Sequence, residues 1–532
     1  MRIFHQGYHA ACEENVMDLL SVLLALLPIL VILILLIWRR MAADLSGLIG
    51  WAVAALAALL YFQTPLAVLL KSSLAGVVAS FPITLMVAAS LLQVFIMIET
   101  GALARIITLI KTVAPTDQVV QIMIVNVGFG TLLAALGATP VSILPPIMLA
   151  LGYSSFVAIA LPALGYDALC TYALLGVPVV VFAGLVGKPV NEVGEYFARF
   201  MPVISTCIAL GMLWIVGRWK LVWKGLLPAL LSGLSAGFIA IGMNAIGLIP
   251  LSGVAARLGV VLVMLANPLI IRKPLRDRTV LTEADQTAEK RISLWVALSP
   301  WLILVVFAVV VNLPSLPFYT LTFKTLAMPV AIIPGAPEKV RLFWQAYFWV
   351  LVSTLLALPF LKPTKKQLGD SLKKWVQRAP RPMLASAVFF AIAYLMNHSG
   401  KGLDWVLAVP GHNMIVVLAN ASSAAFGKFY PLAAPYLGLL AGFVSGSETS
   451  AIAMLTNLHL SAAQQIGALG LVVAAVSGIG GGLASVISPA KLQNAAAAID
   501  KIGEESSVLR VTFVISLVIS AVAAVMALLW AY

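Results

Sequence analysis

One apolar stretch near the end of the chain contains polar residues that could bind and carry a small charged solute. Between Pro435 and Lys491 the sequence is largely hydrophobic, yet it includes the run SGSETS at positions 445–450. Backbone groups exposed to lipid have no hydrogen-bond partners, so a broken helix at membrane depth must line a cavity walled by protein. Gly446 allows the chain to leave the helix, and the hydroxyl groups can cap the helix that restarts. The N–H groups of that helix would then favour an anion at the break.

A second interrupted stretch lies about 310 residues earlier in the chain. Its punctuating segments are GFG at 128–130, LGATPVS at 136–142, GYD at 165–167 and GVP at 176–178. Paired, interrupted apolar segments in the two halves of a transporter indicate its binding site, so we predict an internal repeat. The alternatives are a chance match, since Gly and Pro are common in membrane helices, and an ordinary loop at 445–450.

The composition defines the class of protein that must position these residues. The 532 residues are 62% hydrophobic and 10% charged, whereas soluble domains carry about 25% charged residues. We predict an all-α polytopic membrane protein with about 12–14 transmembrane helices and two inverted repeats, each with a broken or re-entrant hairpin. The net charge of +13 does not indicate nucleic-acid binding, because the basic residues concentrate in short loops between apolar spans.

The distribution of basic residues predicts the topology. Arg39 and Arg40 follow the first apolar run, so the N-terminus is predicted outside, and the basic segments 272–291 and 362–381 are predicted inside. The predicted parts are N-terminal scaffold spans (1–117), a first core repeat (118–200) with a broken segment at 136–146, middle spans with basic loops (201–382), a second core repeat (383–500) with a broken segment at 445–450, and a C-terminal span (501–532).

Three charges in apolar surroundings need a reason, because a charge at the bilayer centre costs about 2.5–3.5 kcal/mol on insertion scales. Glu448 either takes up a proton with the substrate or caps the restarted helix as a permanent carboxylate. Asp167 and Lys491 could pair where the repeats meet. Lys491 could instead bind the substrate carboxylate or extend to the interface. His398 is a candidate proton relay, although a single histidine in an apolar run is more often structural.

The site predicted from these patterns lies between the two broken segments. The candidate proton-coupling residues are Glu448, Asp167 and His398. The candidate substrate-binding residues are mostly hydroxyl side chains: Thr139, Ser142, Ser447, Thr449, Ser450, Ser488 and Lys491.

The sequence lacks the signature motifs of several other classes of protein. No phosphate-binding loop with a following lysine occurs, so an ATP-driven pump is not predicted. The cysteines Cys12, Cys170 and Cys207 form no metal-binding pair, and no His-Glu-x-x-His run is present. No enzyme activity, metal or cofactor is therefore expected. The alternative functions are an anion channel and, less favoured, an enzyme that acts on lipid.

Four segments together resemble the L-lactate permease family of bacterial membrane carriers, and the similarity extends over nearly the whole chain. They are VAPTDQ at 113–118, ALGYD at 163–167 through GVP at 176–178, MNHSG at 396–400, and GSETS at 446–450 with AQQIG at 463–467 and ISP at 487–489. The chain departs from the family pattern at Thr139, where the family has a Gly- and Ala-rich segment. It also departs at Asp167 (an amide in the family), at Glu448 (an Asp) and at Ala490-Lys491 (Gln-Ser).

This resemblance implies a secondary carrier in the bacterial cytoplasmic (inner) membrane. The family implies uptake of lactate and related small hydroxymonocarboxylates, such as glycolate, by proton symport and alternating access. The partners implied are a small organic anion, a proton and the lipid bilayer, with no nucleic acid. A different organic anion and coupling to sodium are the alternatives. By analogy with other carriers of this layout, a homodimer is the assembly to test.

Overall fold

A computed structural model describes residues 19–39, 41–112, 117–135, 140–167, 170–270, 281–312 and 316–532. These residues are mainly helical, which confirms the predicted all-α class. The helices of the first half are α1 (Leu19–Ile37), α2 (Ala43–Leu60), α3 (Leu66–Ala79), α4 (Phe81–Glu99), α5 (Ala102–Thr112), α6 (Gln118–Ile122), α7 (Thr131–Ala135), α8 (Pro140–Ala150), α9 (Ser155–Asp167), α10 (Val177–Val186), α11 (Val190–Lys224), α12 (Leu226–Ala245) and α13 (Ile249–Ile270). A π-helical segment, Met123–Gly130, joins α6 to α7, and a 3₁₀ segment, Cys170–Leu175, precedes α10.

The second half contains twelve further helices and one small hairpin among its described residues. They are α14 (Glu283–Arg291), α15 (Leu294–Asn312), α16 (Pro317–Tyr319), β1 (Met328–Val330), β2 (Glu338–Val340), α17 (Ala346–Leu361), α18 (Lys365–Arg378), α19 (Pro380–His398), α20 (Met414–Phe426), α21 (Tyr430–Ser445), α22 (Glu448–Ile466), α23 (Gly470–Leu483), α24 (Pro489–Ala498) and α25 (Glu505–Ala531). A π-helical segment at Thr320–Thr325 and 3₁₀ turns at Pro410–His412, Gly427–Phe429 and Ala484–Val486 complete the set.

Helix lengths identify the membrane-crossing elements. Within the described ranges, seven helical stretches are long and apolar enough to cross a bilayer, which requires roughly 20 residues. A further set of apolar helices has only 10–17 residues. It includes α8 and α9 of the first core unit, which is the repeat predicted at 118–200, as the second core unit is the repeat predicted at 383–500. The predicted 12–14 crossings therefore require most of these shorter helices to contribute. One additional pair, Asp285–Arg291 with Leu294–Phe307, bends by 71°.

The two stretches predicted as a repeat contain the same order of elements. Each has a helix that ends before the break, a helix after it (α8 or α22), a third helix (α9 or α23), a 3₁₀ turn, and a ten-residue helix (α10 or α24) with proline in its first turn. The packing is also reciprocal, since α10 contacts α22 and α24 contacts α8. This order supports the predicted repeat, while its inverted orientation stays a prediction.

The second break follows from the backbone freedom of one glycine. Gly446 has φ +66° and ψ 14°, the left-handed conformation that glycine adopts without steric cost, and its N–H bonds to the Gly442 carbonyl at the end of α21. After Ser447 the chain resumes as α22. The predicted break at 445–450 is therefore present, whereas 136–139, the centre of the other predicted break, lies outside the described residues.

The Gly-rich run at 478–482 forms continuous helix and serves close packing. A Cβ atom built on Gly480 would lie 2.0 Å from the Pro435 carbonyl oxygen, and one on Gly438 would lie 1.8 Å from the Ser477 carbonyl oxygen. The backbones of α21 and α23 are therefore in direct contact, as small residues allow in membrane helices. This contact holds α21, the helix that ends at the break, against α23.

Two segments between the longer helices contain regular structure of their own. Strands β1 and β2 pair antiparallel in the segment between α15 and α17, and Tyr394 of α19 donates a hydrogen bond to Glu338 of β2. The basic segment 362–381 is largely helix α18, which begins with a capping box between Thr364 and Gln367. This helix is tied to its neighbours by ion pairs, Lys374 with Glu99 of α4 and Arg378 with Asp500 after α24.

Candidate functional site

A cavity of about 220 Å³ lies at the second break. It is lined by the break, by α24, by α4 and α19, and by the 3₁₀ segment at Cys170–Leu175 with the start of α10. Its volume is below the roughly 300–1,000 Å³ of pockets for drug-sized ligands, which suits a small solute. The polar lining residues include Ser447, Glu448, Thr449, Lys491, Asn494 and Gln345, and the apolar lining includes Met86, Val177, Trp344 and Phe390.

Glu448 is the first residue of α22, and its side chain is 2% exposed. The Thr171 hydroxyl donates a hydrogen bond to Glu448 Oε1 over 2.6 Å. Glu448 Oε2 has no hydrogen-bond partner within the part of the chain that is described, and a Cβ on Gly482 would lie 2.6 Å from it. One carboxylate oxygen is therefore fixed by a neutral donor, and the other depends on the absence of a side chain at Gly482.

A buried cation, Lys491, lies on the same cavity. Lys491 is 8% exposed and donates a hydrogen bond from Nζ to Ser485 Oγ over 2.6 Å. Cys170 Sγ lies 3.8 Å from the same hydroxyl oxygen, and the Lys491 ammonium interacts electrostatically with the Glu448 carboxylate. The cavity thus contains an acidic side chain, Glu448, and a basic one, Lys491. A carboxylate that enters it would meet a positive charge that is already in place.

Two helix N-termini meet beside this pair. Helix α22 begins at Glu448, and α24 begins at Pro489 after the N-cap residue Ser488. Ser488 is 1% exposed, and its Oγ would lie 2.9 Å from a Cβ on Gly446, so the two helix starts are in contact at the break. The N–H groups at helix starts favour negative charge. Both helices therefore add to the attraction for an anion.

The first core unit lines part of the cavity, for example with Val177, and a second hydrogen bond also joins it to the cavity wall. Asn494 of α24 donates from Nδ2 to Ser142 Oγ of α8 over 2.9 Å, and both side chains are fully buried. Asn494 itself lines the cavity. The bond therefore connects the helix after the first break to the wall of the cavity at the second.

Most of the predicted site residues that can be located lie together. Ser447, Glu448, Thr449 and Lys491 line the cavity, and Ser142 and Ser488 adjoin it through the contacts above. Thr139 lies outside the described residues, and the structure describes the backbone but not the side chains of Asp167 and Ser450.

His398 is in a different environment from these residues. It ends α19 and is not among the residues that line the cavity. Its Nδ1 lies 3.0 Å from Lys401 Nζ, and its ring contacts Trp405 edge-on.

Sequence reasoning missed two polar residues of this site. Thr171 and Asn494 each lie within a predicted core repeat, but neither interrupts an apolar run with a charge or a break. A signal was available for Asn494, because it follows Lys491 by three residues and therefore lies on the same face of a helix. Thr171 has no comparable signal, since its role depends on the contact between two units distant in sequence.

Two further buried titratable residues were also missed. Arg257 of α13 is 1% exposed and donates a hydrogen bond from Nη1 to the Gly253 carbonyl over 3.1 Å. His459 of α22 is fully buried, with Nδ1 2.8 Å from the Tyr430 hydroxyl. Neither lines the cavity, although a charge inside an apolar helix such as α13 is itself a signal of function.

These features define a multi-pass helical membrane protein whose interrupted helix presents a carboxylate, an ammonium group and hydroxyls to a small buried cavity, the construction of a solute transport protein. A model of the L-lactate permease family matches residues 21–532, and the chain belongs to that family.

Several relatives are similar over most of their length. An L-lactate permease of Salmonella typhimurium is 26% identical over 100% of this chain and 99% of its own. A glycolate permease, GlcA, of Escherichia coli is 24% identical over 93% of this chain and 92% of its own. An L-lactate permease of Bacillus subtilis is 24% identical over 89% of both chains. The family membership confirms the predicted resemblance and supports a transporter rather than an enzyme.

Proposed function

We propose that this protein takes up small monocarboxylates, namely lactate, glycolate and related 2-hydroxy acids, by proton symport with alternating access. The observation that carries the proposal is the buried pair of Glu448 and Lys491 on one small cavity at a helix break. The family names of the relatives, L-lactate permease and glycolate permease, supply the substrate class.

The substrate carboxylate binds at the positive end of the cavity. Lys491 supplies the charge, and Ser447 and Thr449 supply hydroxyl donors beside the N-terminus of α22. Ser488 and Ser142 support this arrangement from the start of α24 and from α8, and Thr139 and Ser450 belong to the same two broken segments. Two helix N-termini together attract an anion more strongly than one, which favours a carboxylate over a neutral solute.

Glu448 carries the coupled proton. Glu448 is 2% exposed and accepts a hydrogen bond from the neutral Thr171 hydroxyl. Its carboxylate is expensive to keep charged once an anionic substrate arrives and shares the Lys491 charge. Protonation of Glu448 makes the loaded cavity electrically balanced, with the substrate charge offset by Lys491. Asp167 and His398 are the other candidate proton carriers, and a pair of Asp167 with Lys491 is the alternative role for those two charges.

Alternating access moves the two core units against the remaining helices. The cavity lies between residues of the two core units and residues of α4 and of the segment just before α17, so relative movement would open and close it. We also propose that the protein lies in the cytoplasmic membrane of a bacterium with its N-terminus outside. Two copies form a dimer.

The test is uptake of radiolabelled L-lactate into proteoliposomes under an imposed inward proton gradient. Wild type is compared with Glu448→Gln, Asp167→Asn and His398→Gln, each also assayed for exchange of internal for external lactate at equal pH. A glutamine mimics the protonated acid, so Glu448→Gln should exchange lactate but should not accumulate it. His398→Gln should accumulate lactate like wild type, because His398 does not line the cavity.

The outcomes separate the parts of the proposal. Accumulation that collapses with a protonophore supports proton symport, and accumulation that needs sodium instead contradicts it. Loss of accumulation with retained exchange in Asp167→Asn or His398→Gln, but not in Glu448→Gln, would reassign the proton carrier. Flux that never exceeds equilibrium under any gradient would indicate a channel and overturn the carrier mechanism.

A further inference from the structure

We propose that Asn494 recognises the 2-hydroxyl group of the substrate, and so gives the site its selectivity for hydroxy acids over other small monocarboxylates. The proposal rests on the proposed function, since it concerns the substrate of that same cavity. It assigns a specificity-determining role to a residue outside the breaks and charges that define the rest of the site.

Asn494 is held by a hydrogen bond from its amide nitrogen, and its amide oxygen has no partner among the described residues. Its side chain is fully buried and lines the cavity, and its Nδ2 is held by the Ser142 hydroxyl at 2.9 Å. Its Oδ1 is buried and makes no hydrogen bond with any residue that the structure describes. A buried carbonyl oxygen without a donor is costly, so this atom is expected to receive a hydrogen bond from a ligand.

The chemistry of the unpartnered atom selects the kind of group it would bind. An amide oxygen only accepts hydrogen bonds, so its partner must be a donor. A 2-hydroxy acid carries such a donor on the carbon next to its carboxylate. A 2-keto acid presents an acceptor at the same position, and an unsubstituted acid presents no polar group at all, so both leave Oδ1 unsatisfied.

The spacing of the two residues matches the two groups of the substrate. Lys491 and Asn494 are three residues apart on α24, so their side chains start about 5–6 Å apart on one face of the helix. Both residues line the cavity. A carboxylate held by Lys491 would therefore place a neighbouring hydroxyl beside Asn494.

The other unpartnered polar atoms near the cavity fit this role less well. Glu448 Oε2 lies against Gly482 and belongs to the group that carries the proton. Ser488 Oγ also lacks a partner among the residues described, but it lies against Gly446, and Ser488 is not part of the cavity lining. Asn494 is neutral over the whole working pH range and rigidly held, which suits recognition rather than proton transfer.

The experiment compares substrates that differ only at the second carbon. Exchange of radiolabelled L-lactate in proteoliposomes is inhibited by unlabelled L-lactate, propionate or pyruvate, and half-inhibiting concentrations are measured for wild type, Asn494→Leu and Ser142→Ala. Wild type should favour lactate over propionate by about tenfold or more, as expected for one buried hydrogen bond. Asn494→Leu should bring this ratio close to one by weakening lactate while propionate still binds. Ser142→Ala removes the hydrogen bond that holds the Asn494 amide, so it should reduce the lactate-to-propionate preference in part.

The matched control is Gln493→Leu. Gln493 is fully buried on the same helix and has an unpartnered amide oxygen of its own in the described structure, but it faces Asp44 and does not line the cavity. It should keep the wild-type lactate-to-propionate ratio, whatever its effect on the amount of folded protein. Binding of propionate by Asn494→Leu serves as the check that the variant is folded.

Three results would overturn the proposal. The first is a wild-type protein that binds propionate as well as lactate, and the second is an Asn494→Leu variant, or a Ser142→Ala variant if the first does not fold, that keeps the full preference. The third is a wild-type preference for pyruvate, which would mean that Nδ2 faces the cavity. In all three cases the proposed transport of monocarboxylates stands. Binding of none of these acids by wild type would refute the proposed function itself.

Discussion

The Thr171 hydroxyl donates a hydrogen bond over 2.6 Å to Glu448 Oε1, and this contact joins the first core unit to the helix that begins at the second break. The bond from Asn494 to Ser142 joins the same two units in the opposite direction, from α24 to α8. Polar links at the cavity therefore cross between units that are distant in sequence. Both hydrogen bonds hold the two units together at the cavity, as expected if the units move as one body against the remaining helices.

Substitution of Gly482 tests whether the position of the Glu448 carboxylate is essential. A Cβ there would lie 2.6 Å from Glu448 Oε2 and 3.2 Å from its carboxyl carbon, so Gly482→Ala must displace the carboxylate. We expect proton-driven uptake to fall by at least tenfold with little change in folding, because the two nearest atoms are at the end of a side chain. The third, Cys170 Cβ at 3.3 Å, needs to move by only a few tenths of an ångström. Gly242→Ala is the control, since nothing lies within 4 Å of its Cβ, and equal activity of the two variants would contradict the prediction.

Removal of the Lys491 charge tests the anion site. Lys491→Gln keeps a hydrogen-bond donor for Ser485 but loses the ammonium, so we expect the KM for lactate to rise about tenfold or more while maximal exchange is less affected. Lys491→Arg should retain part of the affinity. Ser485→Ala, which removes only the neutral partner, should change the KM less than Lys491→Gln does. An unchanged KM in Lys491→Gln would show that the substrate carboxylate binds elsewhere and would favour the structural pairing of Lys491.

The sequence predicts the class of fold and the centre of the site because both depend on local signals. Long apolar runs require membrane helices, and the run at 445–450 combines a glycine with hydroxyls and a carboxylate, which together indicate a break. The structure has this break at Gly446, with four predicted residues on one cavity. Lys491 was found for the same reason, since a charge in an apolar run is visible without any knowledge of contacts.

The remaining features depend on tertiary contacts that leave no local pattern. Thr171 and Asn494 are ordinary polar residues in their own helices and gain their roles only from Glu448 and Ser142 in the other unit. Helix α18 is an exception, since Thr364 and Gln367 form a capping box that is visible in the sequence, whereas its many charges favoured the prediction of a basic loop. The hairpin of β1 and β2 has strands of three residues, which are too short to produce an alternating pattern.

The ion pair of Asp44 and Arg381 should contribute measurably to stability. Asp44 is 5% exposed and accepts hydrogen bonds from Arg381 at 2.8 Å and 3.0 Å and from Gln493 at 2.9 Å. Asp44→Asn should lower the free energy of unfolding by about 2 kcal/mol, less than for a fully buried pair because the Arg381 side chain is 41% exposed. The measurement is thermal unfolding in detergent.

The control for this pair is Glu192→Gln, which removes the surface pair with Lys188 and should leave the unfolding temperature nearly unchanged. The double variant Asp44→Asn with Arg381→Gln should be more stable than the sum of the two single changes, because neither partner is left as an unpaired charge. Strict additivity of the two changes would refute a direct interaction between these side chains.

The attachment of the β1–β2 hairpin to α19 should weaken as the pH rises. Burial raises the pKa of Glu338 above its ordinary value of 4.5, and the hydrogen bond from Tyr394 only partly opposes this effect. Because the folded protein holds the Glu338 proton more tightly than the unfolded hairpin does, the contact is most stable below pH 4.5 and loses stability as the pH rises through the raised pKa. Hydrogen exchange of residues 328–340, corrected for its intrinsic pH dependence, should therefore show more opening at higher pH. Glu338→Gln should abolish this trend, and a trend that persists in Glu338→Gln would assign it to another group.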